Sequence, residues 1–149
     1  MTNEQPDNHY VLTNVMALIG ACIVSGAGAL VFNSFPVFLS ATADQFSLND
    51  AQLGMLGTSY LGGFAVTALL AALWMPRVSW RATCLLAYAL IAASIVGLWV
   101  SHSVNFVYVA MALLGVGACI IFTIGLTIVA RARDPDRGFG INLVTQMIM

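Results

Sequence analysis

The chain has 149 residues, 60% of them hydrophobic and only 7% charged, with five basic and six acidic side chains and a formal net charge of -1. A soluble domain carries about 25% charged residues, so these few cannot clothe a water-facing surface. The absence of a basic patch argues against nucleic acid as a partner. Cys22, Cys84 and Cys119 are scattered through apolar sequence, with no CxxC or Cys/His cluster, so neither a metal nor another cofactor is expected.

The charges fall in four short clusters: Glu4 with Asp7, Asp44 with Asp50, Arg77 with Arg81, and Arg131, Arg133, Asp134, Asp136 and Arg137. An acidic leader, 1–10, comes first and reads as a tail. The apolar run after it is too long for the core of a cleaved signal peptide, so the first span is expected to remain as an anchor. A bilayer crossing needs about 20 apolar residues. The uncharged stretches 8–43 and 51–76 each supply one. The stretch 82–130 would reach roughly 74 Å as a single helix, more than twice the hydrocarbon thickness. It must fold back, and "SHSVN" at 101–105 is its only polar break. Four spans follow, near 11–34, 52–75, 83–101 and 105–130. Residues 138–149 begin a fifth that stops too soon to cross. Runs such as "ALIGACIVSGAGALVF" are apolar all round rather than alternating, which predicts helices and not barrel strands.

The arginines lie at span ends, where they avoid the cost of a charge at mid-bilayer, about 2.5–3.5 kcal/mol on insertion scales. They also lie after spans two and four, and none follows spans one or three. By the positive-inside rule the arginine loops and the N-terminus are then cytoplasmic, in a cytoplasmic (inner) membrane. Trp74 and Trp80 flank Arg77, as aromatic residues do at an interface.

The turn between spans two and three, "ALWMPRVSWR" at 72–81, resembles the loop signature G-x-L-A-D-R-x-G-R-R of the major facilitator superfamily of transporters. Arg77 takes the place of its first arginine and Arg81 that of its last. Pro76 stands where the acid would be, and Ala72 and Ser79 replace the glycines. Upstream, Pro36, Asp44, Gln52, Gly54 and Gly57 stand where that family has a helix-ending proline, a loop acid and small residues opening helix two. In "MALLGVGA" at 111–118, Gly115 and Gly117 fit an R-x-x-x-G-x-G pattern, with Met111 at the arginine position. "RDPDRGFGINL" is similar to the cytoplasmic loop into helix five. The resemblance implies an all-α integral membrane protein, a helical bundle forming part of the amino-terminal half of such a transporter. It implies a small solute moved by alternating access, and partners in the bilayer and in the remaining helices of about twelve. Arg77 and Arg81 become candidates for a cytoplasmic gate loop.

In that family helices one and four line the central cavity. The polar residues there, Asn14, Ser25, Asn33, Thr123 and Thr127, are therefore the candidate substrate contacts, against a reading in which they glue helices or bond their own backbone. Gly54, Gly57, Gly115 and Gly117 are read as helix-packing positions. His102 is read as an exposed loop histidine. No titratable Asp, Glu, Lys, Arg or His falls at mid-membrane depth, so proton coupling needs a group elsewhere. With no nucleophile-and-base pair in the spans, an enzyme is not expected. The alternatives are a non-transporting four-helix protein that assembles with partner helices, or an inactive truncated product.

Overall fold

The structure, a computed structural model, describes residues 15–101, 103–132 and 134–148, with side-chain surroundings from residue 19 onward. The tail 1–10, Asn14, His102 and Arg133 therefore lie outside the described residues. Six α-helices follow one another: α1 (Val15–Asn33), α2 (Phe35–Phe46), α3 (Asp50–Trp74), α4 (Trp80–Val100), α5 (Val104–Ala130) and α6 (Pro135–Ile148), with a single 3-10 turn at Met75–Arg77. No strand occurs among the described residues. Four apolar stretches are long enough to cross a membrane: Ile19–Phe46, Asp50–Arg77, Trp80–Val100 and Val104–Ala130.

The first span runs further than the sequence suggests. Helix does not stop at 34; it continues as α2, and the connection to α3 shrinks to 47–49. Pro36 sits in the first turn of α2, where its missing N–H leaves no bond unmade. Ser34, in helical backbone, bridges the two helices. Its N–H donates to the Leu30 carbonyl at 2.8 Å, and its own carbonyl accepts from Val37 and Phe38 at 3.0 and 3.1 Å. The helix ends at Ser47, whose left-handed backbone (φ 50, ψ 48) folds the chain back. Leu48 N–H then closes on the Ala43 carbonyl at 3.1 Å, the return bond of a Schellman end. Asn49 immediately opens α3 with a reciprocal capping box. Gln52 N–H donates to Asn49 Oδ1 at 2.9 Å, and Asn49 N–H donates to Gln52 Oε1 at 3.0 Å.

At the opposite end the chain also turns within a few residues. Pro76 lies in the 3-10 turn, Val78 and Ser79 are extended, and α4 starts at Trp80. Helix α6 begins at Pro135, three residues before the sequence-based start. The Asp-Pro pair explains this: Asp134 Oδ1 accepts the Arg137 N–H at 3.2 Å, and Pro135 needs no partner.

Helix α5 is the axis of the bundle; α1, α3 and α4 pack around it, and α6 lies against α1 and α5. Glycines set these distances. A Cβ on Gly115 would collide with the Tyr60 carbonyl of α3, and one on Gly63 with the Ala112 carbonyl of α5. On the α1 side, a Cβ on Gly28 would come 2.8 Å from the Phe122 nitrogen. Backbones can come this close only where side chains are absent. Leu56, Tyr60, Val107, Met111, Leu114, Ile121 and Ile124 fill the core behind them. Large apolar side chains point outward, with Leu69 80% and Trp99 84% exposed. Such a surface is stable against lipid and not against water.

Candidate functional site

All the described arginines gather at one end of the bundle. The end of α3, the start of α4, the end of α5 and the start of α6 meet there, because these helices alternate in direction. Arg77 Nη1 donates to the Leu73 carbonyl at 2.7 Å, so the guanidinium reaches back from the 3-10 turn and caps the last turn of α3. Arg131, just past α5, lies over the ring of Trp80 at 4.8 Å from the centroid. This cation–π contact ties the α3–α4 turn to the end of α5. Arg81 is exposed on the first turn of α4, and Arg137 is exposed on α6. Beside Arg77 an open apolar furrow of about 380 Å³ is walled by Leu70, Leu73, Trp74 and Val78.

The polar residues proposed for a cavity do not converge. Ser25 is fully buried, pressed against the Gly125 backbone of α5, where an added Cβ would come 2.5 Å from the Ser25 Cβ. Its hydroxyl accepts from Gln146 Nε2 of α6 at 3.2 Å. Thr123 and Thr127 are half-buried and donate back to the Cys119 and Thr123 carbonyls at 2.7 and 2.9 Å. The Thr127 hydroxyl also lies 3.1 Å from the Met75 sulfur, which joins α5 to the 3-10 turn. Asn33 is exposed at the end of α1.

The four glycines differ as well. Gly115 and Gly117 are buried in helix contacts, the latter against Ile91 and Ala87 of α4. Gly57 has only an ordinary contact with the Phe35 ring at 3.6 Å. Gly54 meets nothing within 4 Å, so the packing role assigned to it from sequence has no neighbour in this bundle. The residue that opens α3 there faces outward.

Two features escaped the sequence reading. One is the amide pair Asn142 and Gln146 on α6, a single turn apart. Asn142 is 1% exposed, and its Oδ1 has no hydrogen-bond partner among the described residues. The i, i+4 spacing of two amides in an apolar run was the available signal; reading 138–149 only as an unfinished helix hid it. The other is an aromatic ladder across three helices. Phe32 of α1 and Phe64 of α3 are 5.5 Å apart between centroids, and Phe64 and Phe122 of α5 are 6.4 Å apart. Tyr60 stacks on Phe35 at 4.4 Å. These partners are too distant in sequence for any local pattern to reveal.

Four membrane-length helices around a glycine-notched axis, with the described arginines at one end, define a polytopic helical membrane protein. The family model of the Major Facilitator Superfamily matches residues 17–148. The chain belongs to that family of membrane transporters, and its fold is an all-α membrane bundle. No curated protein and no solved structure matches it.

Proposed function

We propose that these helices form one side of an alternating-access pathway for a small solute, with the arginine end in the cytoplasm of a cell whose inner membrane holds the protein. The observation that carries this reading is the family match over 17–148. The arginine distribution supports the orientation. The polar groups of the seam, Ser25 and Asn142, are closed over by packing. A passage for solute therefore needs further helices facing this bundle, and the remaining helices of the same transporter are the proposed source. The surface offered to solute is aromatic and hydroxyl-bearing (Phe32, Phe64, Phe122, Thr123, Thr127) and not charged. Arg77, bonded to the Leu73 carbonyl, holds the cytoplasmic turn in place of a gate built on an acid, and Arg81 lies exposed on the first turn of α4.

The test is solute exchange in proteoliposomes with a labelled panel of sugars, organic acids and lipophilic cations. The whole gene product is expected to exchange at least one solute, and residues 1–149 alone are expected to exchange none. Exchange by residues 1–149 alone would remove the need for facing helices. No exchange by the whole product would overturn the transport reading. Orientation is checked separately: Ser103→Cys should react with an impermeant thiol reagent from outside the cell, and Arg137→Cys should not.

A further inference from the structure

We propose that the furrow beside Arg77 is a seat for one anionic phospholipid, with its phosphate on the Arg77 guanidinium and an acyl chain lying along α3. The furrow, about 380 Å³, is walled by Leu70, Leu73, Trp74 and Val78, and its only charged lining residue is Arg77. Above it the apolar face continues through exposed Val66 and Leu69 toward the middle of the span. Apolar wall and cation therefore follow each other in the order that a lipid tail and headgroup require. The Leu73 carbonyl fixes the guanidinium over the end of α3 through Nη1. An arginine has five N–H donors, so the fork keeps donors for phosphate oxygens.

Charge selects the headgroup. Between Asp50 and Asp134 the sequence holds no Asp or Glu, so no carboxylate of the α3–α4 turn neutralises Arg77. A zwitterionic lipid would bring its own cation against the uncompensated Arg77. An anionic lipid brings none. Arg131 is engaged differently, lying over Trp80. The proposal depends on the bundle lying in a bilayer and not on what the protein transports.

The competing explanation is that Arg77 only caps α3, and the experiment separates the two. The purified full chain is incubated with phosphatidylglycerol or phosphatidylcholine, and the bound lipids are counted by native mass spectrometry. Wild type is expected to retain one phosphatidylglycerol with a preference of roughly fivefold over phosphatidylcholine, the attraction of one basic residue for an anionic lipid. Arg77→Gln should abolish that preference, Arg77→Lys should restore most of it, and Arg81→Gln should leave it in place. Leu70→Trp, which fills the furrow and keeps every charge, should also expel the lipid; it carries the test if Arg77→Gln fails to fold. Equal retention of the two lipids by wild type would overturn the proposal. So would retention of phosphatidylglycerol by Leu70→Trp or Arg77→Gln at the wild-type level.

Discussion

The Arg131 guanidinium sits 4.8 Å over the Trp80 ring, so the end of α5 is fastened to the start of α4 by a cation and an aromatic face. Both residues lie at the end of the bundle where the chain turns twice within a few residues. An ion pair could do the same work, but the α3–α4 turn contains no carboxylate. The tryptophan supplies a partner that keeps its charge-attracting face at any pH.

Loss of this contact should cost little stability but be measurable. Cation–π pairs at exposed sites are worth about 0.5–1 kcal/mol, and Arg131 is exposed. In a double-mutant cycle of Trp80→Leu and Arg131→Gln, unfolded in detergent by denaturant titration, the coupling should fall in that range. Trp80→Phe should keep part of it. Additive single effects would show that the two groups do not interact.

The glycines of α5 and α3 should rank by what stands opposite them. Gly115→Ala drives a methyl into the Tyr60 carbonyl, which cannot move without separating two helices; overpacking of this kind costs about 1–3 kcal/mol. At Gly117 the nearest atom is the flexible Ile91 side chain at 2.7 Å, so alanine there should cost less. Gly54 meets open space, and Gly54→Ala should stabilise α3 by up to about 1 kcal/mol through helix propensity. Denaturation midpoints in the order Gly115→Ala, Gly117→Ala, wild type, Gly54→Ala, from lowest to highest, are the expected result; any other order contradicts the packing described.

The helical membrane class was legible because hydropathy and charge placement act over twenty residues at a time. The 101–105 break marked the α4–α5 turn for the same reason. The reach of the first span was not legible, because Pro36 reads locally as an ending. Whether a proline ends a helix or opens its continuation depends on the backbone before it, and Ser34 keeps that backbone helical. The candidate site was legible only in part. The side chains of Ser25, Thr123 and Thr127 could be noticed as polar, but burial and partners are set by tertiary approach. Gly125 decides where Ser25 goes, and the two are a hundred residues apart in sequence. The same holds for Gln146, whose bond to Ser25 no periodicity encodes.

That bond, from Gln146 Nε2 to Ser25 Oγ at 3.2 Å, should contribute modestly to holding α6 on α1. Interhelical hydrogen bonds in membranes average about 0.6 kcal/mol. Gln146→Leu and Ser25→Ala should each destabilise by roughly that amount, and the double variant by no more than either alone plus a few tenths. Ser25→Val should be far worse, because its branched side chain meets the Gly125 backbone. Equal stabilities for Ser25→Ala and Ser25→Val, measured by thermal unfolding in detergent, would contradict that close approach.

The capping box at the start of α3 makes a sharper local prediction. Asn49 satisfies one free N–H of the first turn and Gln52 returns the bond. Asn49→Ala should cost about 1 kcal/mol, and Asn49→Asp should cost little, since a carboxylate also accepts from the Gln52 N–H and favours the helix start. Hydrogen exchange at the amides of 50–53 should rise in Asn49→Ala and not in Asn49→Asp. Unchanged exchange in both would mean that the cap does not hold the helix start.

Tyr60 is the reverse case, a buried residue whose polar atom is idle. Its side chain is fully buried and its hydroxyl has no hydrogen-bond partner among the described residues. An unsatisfied buried group costs about 1–3 kcal/mol, so Tyr60→Phe should leave stability unchanged or raise it. The ring itself matters, because it stacks on Phe35 with planes 14° apart. Stacking of this kind is worth about 0.5–1.5 kcal/mol beyond burial, so Tyr60→Leu should destabilise and loosen α2 from α3. The two substitutions thus have opposite expected signs. A loss with Tyr60→Phe as large as with Tyr60→Leu would mean that the hydroxyl bonds a group outside the described residues, and transport measured on the Tyr60→Phe variant of the whole gene product would then show whether that group belongs to the solute pathway.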